Sequence, residues 1–174
     1  AKKLSESMKG KAILLQGDIR NKFDIFTMNK ELERQGIFVN TLVHNAINDF
    51  VFNGEGRKKI DQIEWQDFQD QIETTQKGLL NLINVFTPSM KKNSFGRIIT
   101  IGTNLFQNPV VPYHDYTAAK GGLLSLTRTA AVELGKYNIT INIVSGGLLR
   151  VTDASSATPE SVFDYISSIT PLRK

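Results

Sequence analysis

The sequence contains no cysteine. Disulfide bonds and thiolate-ligated metals are thereby excluded, and a reducing compartment, the cytoplasm, is the expected setting. Histidine is nearly as scarce: His44 and His114 stand alone, with no second His or Cys at metal-ligand spacing. No metal site is expected, and both imidazoles read as structural or surface groups. Long apolar runs are also missing. The best candidate, Gly78–Phe86, is broken by Asn81 and Asn84, well short of the roughly 20 residues a membrane span needs. Charge of one sign is not concentrated either. Lys and Arg exceed Asp and Glu by 21 to 17, but the basic doublets Lys2-Lys3, Lys58-Lys59 and Lys91-Lys92 are isolated and have acids nearby. Nucleic acid and membrane surfaces are therefore not expected partners.

What is present is material for a core. The chain is 40% hydrophobic, with ten Phe and one Trp among its 174 residues, enough for one ordinary domain and too much for global disorder. Extended and helical patterns alternate, which predicts a parallel α/β sheet. Ala1–Met8 reads as the end of a helix closed by Gly10. Strands are expected at Lys11–Gln16, Phe38–Val43, Arg97–Ile101 and Ile139–Val144; the first, with Ala12, Ile13, Leu14 and Leu15 in a row, suits a strand buried on both faces. Helices are expected at Asn21–Gln35 (closed by Gly36), Trp65–Lys92, Asp115–Leu134 (closed by Gly135) and from Thr158 to about Ser168, with Thr158 as cap and Pro159 at the first helical position. In Trp65–Lys92 the residues Phe68, Ile72, Leu79, Ile83 and Phe86 recur at steps of three, four or seven, and Pro88 is expected to bend or shorten the last turns. This stripe reads as core or subunit contact, and Trp65 as packing. Ile47–Asp61 is expected to be an irregular loop.

Each candidate polar group follows a strand. Asp18, Asn45, Thr103 and Gly147 are thus stacked on one edge of one sheet, the carboxyl edge, where open parallel sheets bind ligands. Tyr116 and Lys120 stand four apart on a predicted helix and share a face. A free phenol titrates near 10; a neighbouring ammonium favours the phenolate and makes the pair an acid–base device. The spacing alone is unspecific, and Asp18 or Asn45 may equally be read as helix caps.

Three motifs in order are far more specific. Gly96-Arg97-Ile98-Ile99-Thr100-Ile101-Gly102-Thr103, Tyr116-Thr117-Ala118-Ala119-Lys120 and Asn138-Ile139-Thr140-Ile141-Asn142 closely resemble the short-chain dehydrogenase/reductase family, in particular its 3-oxoacyl-[acyl-carrier-protein] reductase-like branch. The resemblance covers nearly the whole chain. It implies a doubly wound, Rossmann-like parallel sheet, with 1–174 as one incomplete dinucleotide-binding and catalytic domain. It implies NADP or NAD as cofactor, NADPH being favoured. Tyr116 would then be the acid that protonates a carbonyl oxygen, and Lys120 would hold the nicotinamide ribose and lower the tyrosine pKa. Thr103 takes the place of a serine that bonds the substrate oxygen, keeping the hydroxyl but adding a methyl that crowds the pocket. Asp18 and Ile19 match the residues beside the adenine ring, Asn45 and Ala46 those near the cofactor ribose. Gly147 and Leu149 fall where the backbone meets the nicotinamide.

The departures are specific. His44 and Ile47 replace the first Asn and the Gly of the family's Asn-Asn-Ala-Gly turn; a branched residue cannot serve where φ is positive. Thr75 stands where the family has an Asn that anchors a proton-relay water, so that role falls to Thr75, to a backbone carbonyl or to nothing. Gly146-Gly147 replaces Pro-Gly, and Val151, followed by Thr152, stands in place of a cofactor-contacting threonine. No Gly-x-x-x-Gly-x-Gly turn precedes Asp18. The expectation is a polypeptide that extends before Ala1, with two further strands between Lys11–Gln16 and Phe38–Val43. Without them, these segments should lie about 14 Å apart, three strand spacings, with no ladder joining them.

The expected function is hydride transfer to a small-molecule or acyl-carrier-bound carbonyl, best a 3-oxoacyl group. A dehydrogenase of a small alcohol, sugar or steroid is the alternative within the family. A non-catalytic cofactor-binding scaffold is the alternative outside enzymes. The apolar breadth of the two long helices predicts a homo-oligomer, tetramer or dimer.

Overall fold

A computed structural model of the chain describes residues 12–150, 152, 155–156 and 158–173. The predicted helix over Ala1–Met8, the start of the Lys11–Gln16 segment and Val151 lie outside the described residues.

Helix α1 spans Lys22–Arg34, with Asn21 as its cap, the Asn21 side chain accepting from the Phe23 amide. Gly36 ends it as expected: at φ +71 it adopts a left-handed turn, and the Ile37 amide returns to the Leu32 carbonyl at 2.9 Å, an arrangement that glycine allows without strain. Neither Asp18 nor Asn45 is a helix cap. Strand β1 is Thr41–His44, and a short 3₁₀ turn at Gly54–Gly56 interrupts the loop that follows.

The long Trp65–Lys92 helix is three pieces: α2 (Trp65–Ile72), a π turn (Glu73–Lys77) and α3 (Gly78–Lys92). The π turn falls between Ile72 and Leu79 of the apolar stripe. Pro88 does not shorten the helix, which continues to Lys92. Strand β2 is Gly96–Thr103, α4 is His114–Leu134, β3 is Ile139–Gly146 and α5 is Glu160–Ile169. Gly135 caps α4 as expected, in a right-handed conformation, and opens a 3₁₀ turn to Tyr137; the left-handed residue that follows is Asn138, at φ 57. One start signal was misplaced. Pro159, not Thr158, caps α5, without a side-chain bond.

The sheet is parallel, in the order β1-β2-β3. Residues 12–18 form no strand, and no ladder joins them to β1. The reading of this run as a doubly buried strand is corrected: Ile13 is 46% exposed and Leu14 51%. A strand needs a neighbour to take its backbone bonds, and β1 pairs only with β2.

Register sets the core. Leu42, Ile98 and Ile141 lie side by side across the three strands and are buried with Leu79, Phe86 and Leu123 from α3 and α4. Each such side chain contributes about 1.5–3 kcal/mol through burial. The next row, Val43, Ile99 and Asn142, points to the other face, where Val43 is 60% exposed. The period of two thus separates a helix-covered face from an open one. Trp65, expected in packing, is 70% exposed and stacks on Phe68 with ring centres 6.3 Å apart.

Candidate functional site

Parallel pairing brings the carboxyl ends of the strands to one edge, and the candidate residues follow. β2 runs to Thr103, which stands opposite Gly146 in register; the Asn104 amide then bonds the Gly146 carbonyl at 3.1 Å, leaving Gly147 beside Asn104. β1 ends at His44, so Asn45 and Ala46 follow at the same edge, both exposed.

Helix α4 supplies Tyr116 and Lys120, both buried with Thr103. The Lys120 ammonium donates to the Ile101 carbonyl at 2.6 Å and stands 5.7 Å from the centre of the Tyr116 ring. Burial lowers the lysine to about 8, because a buried cation loses hydration. The Tyr116 phenol lies above its ordinary value, since burial outweighs the opposing pull of the Thr103 hydroxyl. In this geometry the dominant influence on the phenol is thus burial rather than the lysine. Thr103 also accepts from the Leu105 amide at 3.3 Å.

The loop after β1 covers the tyrosine. Phe50 and Phe52 place their rings 5.1 and 5.6 Å from that of Tyr116, and both also meet Tyr113. The Tyr113 hydroxyl accepts from the Gly54 amide at 2.7 Å. Arg57 stacks on Phe50 at 4.3 Å and bridges Asp115 at 2.7 Å, with the Asp115 carboxylate almost wholly buried. Sequence reading missed this group. The residues of the loop carry no periodic signal, and only the fold shows that Phe50, Phe52 and Arg57 close on Tyr113, Asp115 and Tyr116.

Three other expectations are changed by their surroundings. His44 is no surface residue: it is 3% exposed, and its Nε2 is 2.9 Å from the Thr75 carbonyl oxygen. Thr75 is buried within the π turn, and its carbonyl is the acceptor of that bond. Asp18 takes a bidentate bond from Arg20, at 2.7 to 3.0 Å, which lowers its carboxyl pKa. Ile19 packs on Gly78, where a Cβ would fall 2.5 Å from the Ile19 side chain; its carbonyl accepts from Asn81 at 2.9 Å. Leu149 is exposed. The Thr152 hydroxyl is paired with Ser155 at 2.8 Å. Among the described residues no group of His, Asp and Glu is placed to hold a metal, and no helix is long and apolar enough to cross a membrane.

The ring of donors fits one end of a dinucleotide. An ammonium has three donors, and Lys120 commits one to Ile101, leaving two for the vicinal hydroxyls of a ribose beside Tyr116.

Comparison with known proteins bears on the family and the fold. The family model described as Enoyl-(Acyl carrier protein) reductase matches residues 1–174. A 3-oxoacyl-[acyl-carrier-protein] reductase FabG from Staphylococcus epidermidis is 29% identical over 177 aligned positions, covering 100% of this chain and 70% of that protein. A FabG from Buchnera aphidicola is 29% identical over 129 positions, 72% of this chain and 52% of that protein. Among solved structures, a putative gluconate dehydrogenase from Agrobacterium tumefaciens superposes with TM-score 0.85 at 26% identity, over 99% of this chain and 66% of that one. A gluconate 5-dehydrogenase from Burkholderia cenocepacia, in complex with NADP and tartrate, shares the fold with TM-score 0.81 at 20% identity, over 97% of this chain and 66% of that one. A short-chain dehydrogenase from Streptomyces avermitilis gives TM-score 0.74 at 23% identity, and the chain spans 53% of its length.

Proposed function

The chain belongs to the short-chain dehydrogenase/reductase family, and on that premise we propose that it carries the acid–base half of an NAD(P)H-dependent carbonyl reductase. The observation that supports this most directly is the convergence of Thr103, Tyr116 and Lys120, all buried, with Lys120 fixed to the carbonyl two residues before Thr103.

The cofactor, when bound, supplies the hydride. Lys120 and Tyr116 would hold its ribose, with the backbone at Gly147 and Leu149 toward the nicotinamide and Asn45-Ala46 along the same edge; Asp18 and Ile19 would meet the adenine, Asp18 after release from Arg20. The residues of the chain do the rest. Thr103 donates its hydroxyl to the substrate oxygen. Tyr116, protonated at neutral pH because burial raises its pKa, breaks its Oη–H bond and forms the new O–H bond as negative charge develops on that oxygen. The phenolate left behind is stabilised by the Lys120 ammonium and regains its proton from solvent. Phe50, Phe52 and Tyr113 exclude water around the phenol, which strengthens both interactions.

The favoured substrate is an acyl-carrier-bound 3-oxoacyl group, supported by the names of the curated relatives. A small alcohol or sugar acid is the second reading, favoured by the gluconate dehydrogenase likeness at 26% identity. The setting proposed is cytoplasmic, the cofactor NADPH in preference to NADH, and the assembly a homotetramer or dimer. The deciding experiment follows the loss of NADPH absorbance with a 3-oxoacyl thioester and with a sugar-acid ketone, wild type against Tyr116→Phe. Turnover that vanishes in the variant supports the reading. Equal turnover in both proteins overturns the role of Tyr116, and no turnover in either leaves a cofactor-binding scaffold.

A further inference from the structure

The imidazole of His44 is buried at the end of β1 and belongs to no part of the acid–base set above. Its Nε2 lies 2.9 Å from the Thr75 carbonyl oxygen. A carbonyl only accepts, so Nε2 carries the proton, and in the neutral ring Nδ1 is a bare acceptor. Nδ1 is buried without a hydrogen-bond partner. Such an atom costs stability and calls for a reason.

Contacts between elements place the residue. Lys120 donates to Ile101 on β2. Thr100, the preceding residue, is the register partner of His44 on β1. His44 donates to Thr75 in the π turn, and the next residue, Gln76, donates to the Ala119 carbonyl on α4 at 3.3 Å, directly before Lys120. Four elements thus close a ring around the lysine, and His44 is the link between sheet and π turn. Gly78 lies against this link: a Cβ there would collide with Ile19 and stand in ordinary contact, 3.6 Å, with the His44 ring.

We propose that His44 is a positioning residue for Lys120: its neutral imidazole ties the π turn to β1 and leaves a bare nitrogen, rather than a second positive charge, beside the lysine. A proton taken up at Nδ1 disables the site, because two cations then face each other in a buried space. The inference rests on the reading of Lys120 as the cation that supports Tyr116. Burial lowers the imidazole pKa most, the Thr75 carbonyl opposes this, and Lys120 lowers it further. The other ionisable groups on neighbouring elements, Glu73 and Lys77 in the π turn, Asp115 and Tyr116 on α4 and Arg97 at the far end of β2, are not among those influences.

With two histidines in the chain, nitrogen NMR titration resolves His44 directly. The neutral form is expected with the proton on Nε2 and a midpoint below the ordinary imidazole value. In Lys120→Met the His44 midpoint rises by on the order of half a pH unit or more. An unmoved midpoint overturns the inference, as does a proton found on Nδ1. This arm decides without turnover, so it stands apart from the Tyr116→Phe test of the function itself. In the active protein, His44→Gln keeps a donor for Thr75 but cannot be protonated. It lowers kcat less than His44→Phe does, and the fall of kcat/KM on the acid side disappears. The same acid-side fall in His44→Gln as in wild type overturns the proposal.

Discussion

The Lys120 ammonium donates to the main-chain carbonyl of Ile101 at 2.6 Å, and that bond ties the helix carrying Tyr116 to the strand that ends in Thr103. Strand and helix are consecutive in the chain, joined by the loop 104–113. A single buried cation therefore links the two elements that carry the hydroxyl groups of the proposed proton transfer.

Replacing Tyr116 by Phe keeps the ring among Phe50, Phe52 and Tyr113 and removes only the proton. Turnover is expected to fall by at least about 10²–10⁴-fold, the usual worth of a general acid. NADPH affinity, measured by fluorescence titration, should hold within a small factor. Unchanged turnover removes Tyr116 from the mechanism.

Lys120→Ala is expected to cost turnover and cofactor affinity together, since one side chain serves both. The sign of the pH effect follows from burial. Lys120 is charged below about 8 and neutral above it, so carbonyl reduction should decline as pH rises through that value. A kcat/KM profile for reduction that stays flat to pH values well above that midpoint would remove the charged lysine from the step.

Thr103→Ser retains the hydroxyl and should keep most activity. Thr103→Ala leaves the substrate oxygen without its donor and should lose about 10²-fold in kcat, a few kcal/mol of transition-state stabilisation. Equal kcat in the alanine and wild-type proteins excludes Thr103.

Arg57→Ala leaves the Asp115 carboxylate buried without its partner. Because Arg57 is partly exposed, the expected loss is about 2 kcal/mol, below that of a fully buried pair. Urea unfolding reads it as a lower midpoint at constant slope. KM should rise as well, since the aromatic loop over Tyr116 loses its anchor; a midpoint and KM both unchanged would show that the bridge holds nothing in place.

The proposed oligomer has a simple test. Leu80 on α3 and Val132 on α4 are exposed large apolar side chains, and light scattering at micromolar concentration should give a mass of two or four chains. A monomer refutes the assembly.

Much of the fold could be read from the chain because its signals are local. Alternating strands and helices, Asn21 and Gly36 at the ends of α1, and the turn between Tyr116 and Lys120 depend on neighbours within a few residues. The errors share one cause. Ile13, Leu14 and Leu15 form an apolar run, but a run is a strand only when another strand takes its backbone bonds. Trp65 is large and apolar, yet its place on α2 faces outward. A pattern records what a residue prefers, not whether a partner is there to receive it.

The sequence by itself determined the parallel α/β class, the edge on which Asn45, Thr103 and Gly147 follow their strands, and the shared helical face of Tyr116 and Lys120, because period and spacing are properties of one segment. Only the tertiary structure decided the rest: that burial raises the phenol and lowers the lysine, that Arg57 and Phe50 close over Tyr116, and that His44 reaches the Thr75 carbonyl 31 residues away. Burial and long-range hydrogen bonds arise between segments, so their effects exist only once the segments have packed.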